Sequence, residues 1–264
     1  MLLSYTNYVT TATGPTEDAA FPASNLATPQ QRWVPAKTAT AAESRWTMPF
    51  GVARTLSLII LVRANFLTAR VQGNNADSWS SPPYDLPVTI TQNPFNEQHQ
   101  VAIVPVGFNY SFLSILVPVQ SPIETPSTAF RLGGVWAGET FAPPGHFSVD
   151  FDHIAVQAVA DVQPPHKGWR RRMILDNPIV QLRMKRRAHF THLTPYLDDD
   201  AHTWMRDVDI AVRAAVRANG AVALYEDLGN LTMGWIVQPI DTAPAWPVNE
   251  VDTVENDWQL EEVS

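Results

Sequence analysis

The chain has 264 residues, 45% of them hydrophobic and 17% charged, with 22 Pro, 9 Trp and a formal net charge of −8. That composition is far from a disordered chain and supplies enough apolar surface for one large β domain or two modest ones. The absence of cysteine excludes disulfides, thiolate zinc sites, iron–sulfur clusters and cysteine nucleophiles. No cofactor is indicated, and any metal would need His and carboxylate ligands.

The first residues, Met1 to Asn7, lack a basic stretch followed by an apolar run, so they read as no signal peptide. Thr55–Val62 is β-branched and leucine-rich between Arg54 and Arg63 and reads as a buried strand. Ala69–Gln72, Leu86–Thr91, Gln100–Pro105, Tyr110–Val117 and Ala129–Leu132 follow as strands between Pro, Asn and Gly clusters. This spacing predicts an all-β sandwich or barrel. Val101–Val119 is the longest apolar stretch, but Pro105, Gly107, Asn109 and Pro118 interrupt it, so no membrane insertion is expected. Gly133-Gly134 and Ala142-Pro143-Pro144-Gly145 bracket an expected hinge around Trp136, dividing the chain into 1–140 and 141–264.

In the second half, Phe147–Val159 reads as a strand, and Ile179–Leu193 has two distinct faces at period two. Val180, Leu182, Met184, Ala188 and Phe190 share one face, which Arg186 interrupts where it falls; Arg183, Lys185, Arg187 and His189 share the other. Thr194 to Asn219 reads as a helix, with Asp198, Asp199 and Asp200 at its positive end and Arg213 and Arg217 at the other. Trp204, Val208, Ala211 and Ala215 recur at helical spacing, and Asn219-Gly220 stops the run. Ala221–Glu226, Met233–Pro239 and Asp257–Val263 read as strands. The predicted fold class is mainly β: an N-terminal β-sandwich, then a C-terminal β-barrel-like domain with one α-helix over 195–219.

Charge is unevenly placed. Residues 1–140 hold seven Lys/Arg and eight Asp/Glu, whereas Asp161–Leu193 holds eight Lys/Arg against two Asp. From Thr194 onward there are three Arg against fourteen acids. Opposed blocks of this kind suit association between copies, with Arg183, Lys185 and Arg187 as candidate subunit-interface residues. Pairing within one chain is the rival reading. Nucleic-acid binding by Lys167, Arg170, Arg171, Arg172, Arg183, Lys185, Arg186 and Arg187 is disfavoured, since the domain is net acidic and no aromatic series interleaves with the bases.

No Gly-x-Ser-x-Gly, phosphate-loop or His-Glu-x-x-His pattern occurs, and no catalytic residue is assigned. His189 and His192 with Asp198–Asp200 have suitable chemistry for a metal, but residues three apart on a strand face opposite ways, so no metal ligand is assigned either. His146, Asp150, Asp152 and His153 form a loose group. Asp150 and Asp152 would share a strand face, as a glycoside-hydrolysing pair requires, without an identifiable third group. Trp33, Trp46 and Trp79 are candidates for stacking on sugars, against the commoner use of tryptophan in a core.

The stretch Phe21-Pro22-Ala23-Ser24-Asn25-Leu26 with Pro29, Gln31-Arg32-Trp33 and Arg45-Trp46, then Leu56–Leu61, Asn65 and Ala69–Gln72, resembles the opening of galactose-binding-like modules found in phage tail proteins. The bridge Arg131-Leu132-Gly133-Gly134-Val135-Trp136-Ala137-Gly138 resembles the segment that joins such a module to its neighbour. Met48-Pro49-Phe50-Gly51-Val52-Ala53 departs from the common pattern. The second half, with Trp235 and the terminal Trp258-Gln259-Leu260-Glu261-Glu262-Val263, is similar to distal-tail and minor-tail proteins of long-tailed phages. The resemblance implies a jelly-roll sandwich and a non-enzymatic virion subunit, made in the host cytoplasm. It would form a ring with itself, joining tail-tube and tail-tip proteins. An adhesin that recognises a host-surface glycan through the sandwich is the alternative.

Overall fold

The computed structural model describes residues 2–14, 18–27, 35–90, 101–123, 128–140 and 221–227, residue 214, and the backbone of further strands within 147–262. The elements are β1 (Leu2–Ser4), a 3-10 turn (Ala23–Ala27), β2 (Ala36–Lys37), β3 (Ser44–Leu56), β4 (Leu58–Val62), β5 (Thr68–Asn74), β6 (Tyr84–Thr89), β7 (Val101–Ile103) and β8 (Phe108–Val117). They continue with β9 (Arg131–Leu132), β10 (Gly134–Gly138), β11 (Phe147–Asp150), β12 (Lys185–Leu193), β13 (Val222–Asp227), β14 (Thr232–Pro239), β15 (Val248–Asn249) and β16 (Thr253–Glu262).

Two antiparallel sheets make the sandwich. The smaller has the order β3-β8-β5-β6. The larger has ten strands, with β10-β4-β7 at one end of its path, continuing through β14, β16, β12 and β11, while β13 joins β14 to β1. A single sheet thus contains strands from both sides of residue 140.

Strand β4 explains why the sequence signal at its position is so strong. Ile59 and Leu61 face the sandwich core with Trp46, Met48, Phe66, Phe108, Leu113, Ile115 and Val135. Leu58, Ile60 and Val62 face the other way, against Trp136, Ala221, Ala223, Tyr225 and Ile236. A strand covered on both faces reads as a continuous apolar run. Each such Leu or Ile, once buried, contributes roughly 1.5–3 kcal/mol.

The expected strand Thr55–Val62 is two strands. Leu56 ends β3 in one sheet and Leu58 begins β4 in the other, so the chain changes sheets at Ser57. Ser57 is tied to the end of β10, with its N–H donating to the Gly138 carbonyl at 3.1 Å and its Oγ accepting from the Thr140 N–H at 2.7 Å.

Strand β3 pairs with β8 from Ser44↔Val117 to Pro49↔Phe112, then resumes at Arg54↔Tyr110. Four residues, Phe50 to Ala53, therefore oppose the single Ser111, and Gly51 supplies the left-handed φ of 76° that the bulge requires.

The segment expected as a hinge is strand β10. Trp136 is 1% exposed within it and pairs with Ile60. Its Gly138 serves close packing: a Cβ there would lie 2.2 Å from the Thr6 carbonyl and 2.6 Å from Ser4 Oγ.

The expected C-terminal barrel is also overturned, since among the described residues no sheet closes on itself. Strands β13, β14 and β16 instead extend the sheet that contains β4, β7 and β10, so their open edges are satisfied by addition. The described residues contain no run of α-helix, only the 3-10 turn Ala23–Ala27. The helix expected over 195–219 falls, apart from Ala214, outside them.

Candidate functional site

The outer face of the four-stranded sheet carries a polar row. Strand alternation sends Trp46, Ile115 and Val71 into the core, so their neighbours Thr47, Ser114 and Gln72 face outward, in register with one another and with Asp85 of β6. Arg45 and Arg70 lie in the adjacent outward row.

These side chains are joined. Arg45 Nη1 donates to Gln72 Oε1 at 2.5 Å and to Ser114 Oγ at 2.9 Å. Arg70 grips Asp85 with two parallel bonds, Nε to Oδ1 at 2.8 Å and Nη2 to Oδ2 at 2.6 Å. A planar fork of this kind holds its geometry better than a single contact.

The β5–β6 loop brings Trp79 over this surface. The Arg45 guanidinium lies 5.0 Å from the centre of the Trp79 ring, and the indole Nε1 donates to Asp77 Oδ1 at 2.6 Å. Asn75 Oδ1 accepts from the Ser111 N–H at 3.1 Å, and Asn74 Nδ2 donates to the Ser78 carbonyl at 2.5 Å, which ties the loop to β8 and to itself. Gln72 and Ser114 are buried beneath, whereas Trp79 keeps part of its surface exposed.

The electrostatics agree with the contacts. Burial pulls the Arg45 guanidinium below its ordinary value, while Glu43, Asp85 and Asp77 draw it back upward. The hydrogen bond from Arg70 holds the Asp85 carboxyl below the usual carboxylate range against the opposing effect of burial. A depressed carboxylate contributes stability above its unfolded pKa and loses it as pH falls through the folded value. The difference in melting temperature between the parent and Asp85→Asn is therefore expected to hold steady around neutrality and to shrink in acid. A difference that persists fully in acid would show that the Arg70 fork is not its cause.

Of the three tryptophans considered for stacking, Trp46 is core, 1% exposed and 6.2 Å from Phe66 between ring centres. Trp33 lies outside the described residues, so Trp79 is the one placed at a surface. His146, Asp152, His153, Asp198–Asp200, Lys167, Arg170–Arg172 and Arg183 also lie outside them. Asp150 is the last residue of β11, opposite Arg187. His189 and His192 both belong to β12, which puts them on opposite faces. Among the described residues no group of three or more His, Asp or Glu could hold a metal, and no helix is long and apolar enough to cross a membrane.

The sequence reading missed Gln72, Ser114, Arg70 and Asp85. The usable signal was the alternation of polar 45, 47, 70, 72 and 74 with apolar 46, 48, 69 and 71, which marks an outward face but not what meets on it.

No family model and no curated protein matches the chain. Among solved structures it is similar to chitosan-binding module 1 of a chitosanase/glucanase from Paenibacillus sp. IK-5, at 15% identity over 50% of this chain and 98% of that one, TM-score 0.37. It is also similar to a fucose-binding module of Streptococcus pneumoniae, at 10% identity over 50% and 94%, TM-score 0.39. A third is the family 32 carbohydrate-binding module of C. perfringens NanJ in complex with galactose, at 14% identity over 52% and 98%, TM-score 0.38. Likeness at this level carries no argument for what the chain does.

Proposed function

We propose that this protein is a non-catalytic glycan-binding module of adhesin type, with the outer face of the four-stranded sheet as its binding surface. The observation that carries the reading is the partly exposed Trp79 ring held against the Arg45 guanidinium on the same outer face as the Arg70–Asp85 fork. A flat apolar face next to directional donors and acceptors is what an alternating sugar surface of C–H and O–H groups requires. Trp79→Ala is expected to weaken retention on immobilised glycan about tenfold while leaving the melting temperature close to the parent's. Unchanged retention would end the reading.

A ring at a phage tail tip, tail-protein partners and a virion location rest on the sequence resemblance alone, and the geometry favours the binding module. Self-association through Arg183, Lys185 and Arg187 is a separate proposal with a rival in the strand register. Lys185 lies opposite Glu261, Arg187 opposite Asp150 and Gln259, and His189 opposite Asp257. Directly opposed charges of unlike sign each contribute roughly 0.2–1 kcal/mol, and like charges destabilise. Reversal of Lys185 and Arg187 to Glu is therefore expected to lower the melting temperature without changing the mass in solution. A lower mass at an unchanged melting temperature would favour the interface instead.

A further inference from the structure

We infer that Asn75 is the positioning residue of the glycan site: it holds the β5–β6 loop on strand β8, and so sets the Trp79 ring through which it governs affinity. This rests on the glycan-binding reading above and adds the residue on which the placement of the ring depends.

Strand β5 pairs with β8 as far as Asn74↔Phe112, and the pairing of β3 with β8 is interrupted between Pro49↔Phe112 and Arg54↔Tyr110. Ser111 is thus paired with a residue of neither neighbouring strand, although it lies inside β8. Its N–H still requires an acceptor. Asn75, the first residue after β5, supplies one, with Oδ1 accepting from the Ser111 N–H at 3.1 Å. The side chain continues the pairing where the backbone of β5 turns away into the loop.

The other hydrogen bonds of the loop stay within it. Asn74 Oδ1 accepts from the Asn75 N–H at 2.7 Å, Asn74 Nδ2 donates to the Ser78 carbonyl at 2.5 Å, and the Ser78 N–H donates to the Ala76 carbonyl at 2.8 Å. The Trp79 indole donates to Asp77 Oδ1 at 2.6 Å. These bonds orient the ring relative to the loop and fix neither to the sheet. Burial does not fix them either, since Asn75, Ala76, Asp77 and Ser78 are all exposed. Among the described residues, the Asn75–Ser111 bond and the contact of Arg45 with the Trp79 ring are what tie residues 75–79 to another strand.

A left-handed backbone, the common reason for asparagine in a turn, does not account for Asn75: among the described non-glycine residues only Arg63 has a positive φ. Without its acceptor the loop is freed from β8, and the Trp79 ring must be ordered when the ligand binds. A ring already in place avoids that cost.

The test compares Asn75→Leu, Asn75→Asp, Trp79→Ala and the Asn75→Leu/Trp79→Ala double variant in the full chain. Binding is titrated with oligosaccharides of galactose, glucose and N-acetylglucosamine, and the tightest of these for the parent is the probe. The Trp79 ring is followed without ligand by fluorine NMR of protein labelled with 5-fluorotryptophan, its line assigned by its loss in Trp79→Ala. Asn75→Leu is expected to weaken binding about fivefold, the equivalent of one hydrogen bond, to shift and narrow the Trp79 line, and to leave the melting temperature close to the parent's. Asn75→Asp keeps an acceptor oxygen and should return both readouts to near the parent's. In the Trp79→Ala background the leucine substitution should weaken binding no further, because residues that act through one another are not additive. An unmoved Trp79 line, an equal loss in both backgrounds, or an aspartate variant as weak as the leucine one would each overturn the inference and leave the glycan reading standing. Binding by Trp79→Ala equal to the parent's, or no binding of the parent to any of the oligosaccharides, would remove both.

Discussion

Replacing Trp136 by alanine is expected to cost about 3–5 kcal/mol of folding stability, the usual range for deleting a buried Trp. Trp136 sits at the centre of the second apolar cluster, where β4 and β10 meet β13 and β14. It is 1% exposed, and its Nε1 donates to Ser4 Oγ, itself fully buried, at 3.1 Å. The alanine variant removes the ring from the cluster that includes Leu58, Ile60, Ala223 and Ile236 and leaves Ser4 Oγ without that donor. Because the lost contacts lie between strands from opposite ends of the chain, early unfolding of β1, β13 and β14 should accompany the loss. Hydrogen exchange should show their amides deprotected before those of β3 and β8. Uniform loss of protection in both sheets would mean that the two clusters form one cooperative unit.

Legibility from sequence followed a simple physical division. Strand β4 was visible because both of its faces are buried, β5 because its inward Ala69 and Val71 alternate with polar Arg70 and Gln72, and β8 as an apolar run over Tyr110–Val117 bounded by turn residues. Strand β3 was missed although it is the longest in the sandwich. Pro49 and Gly51 look like turn residues, and the four-residue bulge shifts the alternation between Trp46-Met48 and Leu56. Strand β10 was read as a hinge because glycine permits two opposite uses, freedom of the backbone and close approach of another chain segment. Only the position of Thr6 and Ser4 decides between them at Gly138.

The candidate site was less legible than the fold. Arg45 and Ser114 are 69 residues apart in sequence, and Arg45 and Gln72 are 27 apart, so no local motif records their meeting. Trp79 was visible as a candidate, but nothing in the sequence separated it from the core residue Trp46. The charge blocks were visible too. Their register was not, because the acids of β16 lie more than sixty residues beyond the bases they oppose, across strands whose pairing depends on the whole sheet.

Gly138→Ala provides the sharpest test of how the N-terminal strand is held. An added Cβ would stand 2.2 Å from the Thr6 carbonyl and 2.6 Å from Ser4 Oγ. The first contact is with backbone, so rotation of a side chain cannot relieve it. The neighbouring ties are exacting as well: Asn7 Nδ2 donates to the Val135 carbonyl at 3.3 Å, Asn7 Oδ1 accepts from the Ala137 N–H at 3.0 Å, and Tyr8 N–H donates to the Ala137 carbonyl at 2.8 Å. Moving Thr6 away from β10 would strain all three, so a loss of about 1–3 kcal/mol is expected, in the range for overpacking a close contact. A second background identifies the cause. In a chain lacking residues 1–6 the obstructing atoms are gone, and the same substitution should cost little relative to that shortened parent. Non-additivity between the two changes is the signature of direct contact. Equal cost in both backgrounds would place the strain in β10 itself and detach Gly138 from the docking of β1.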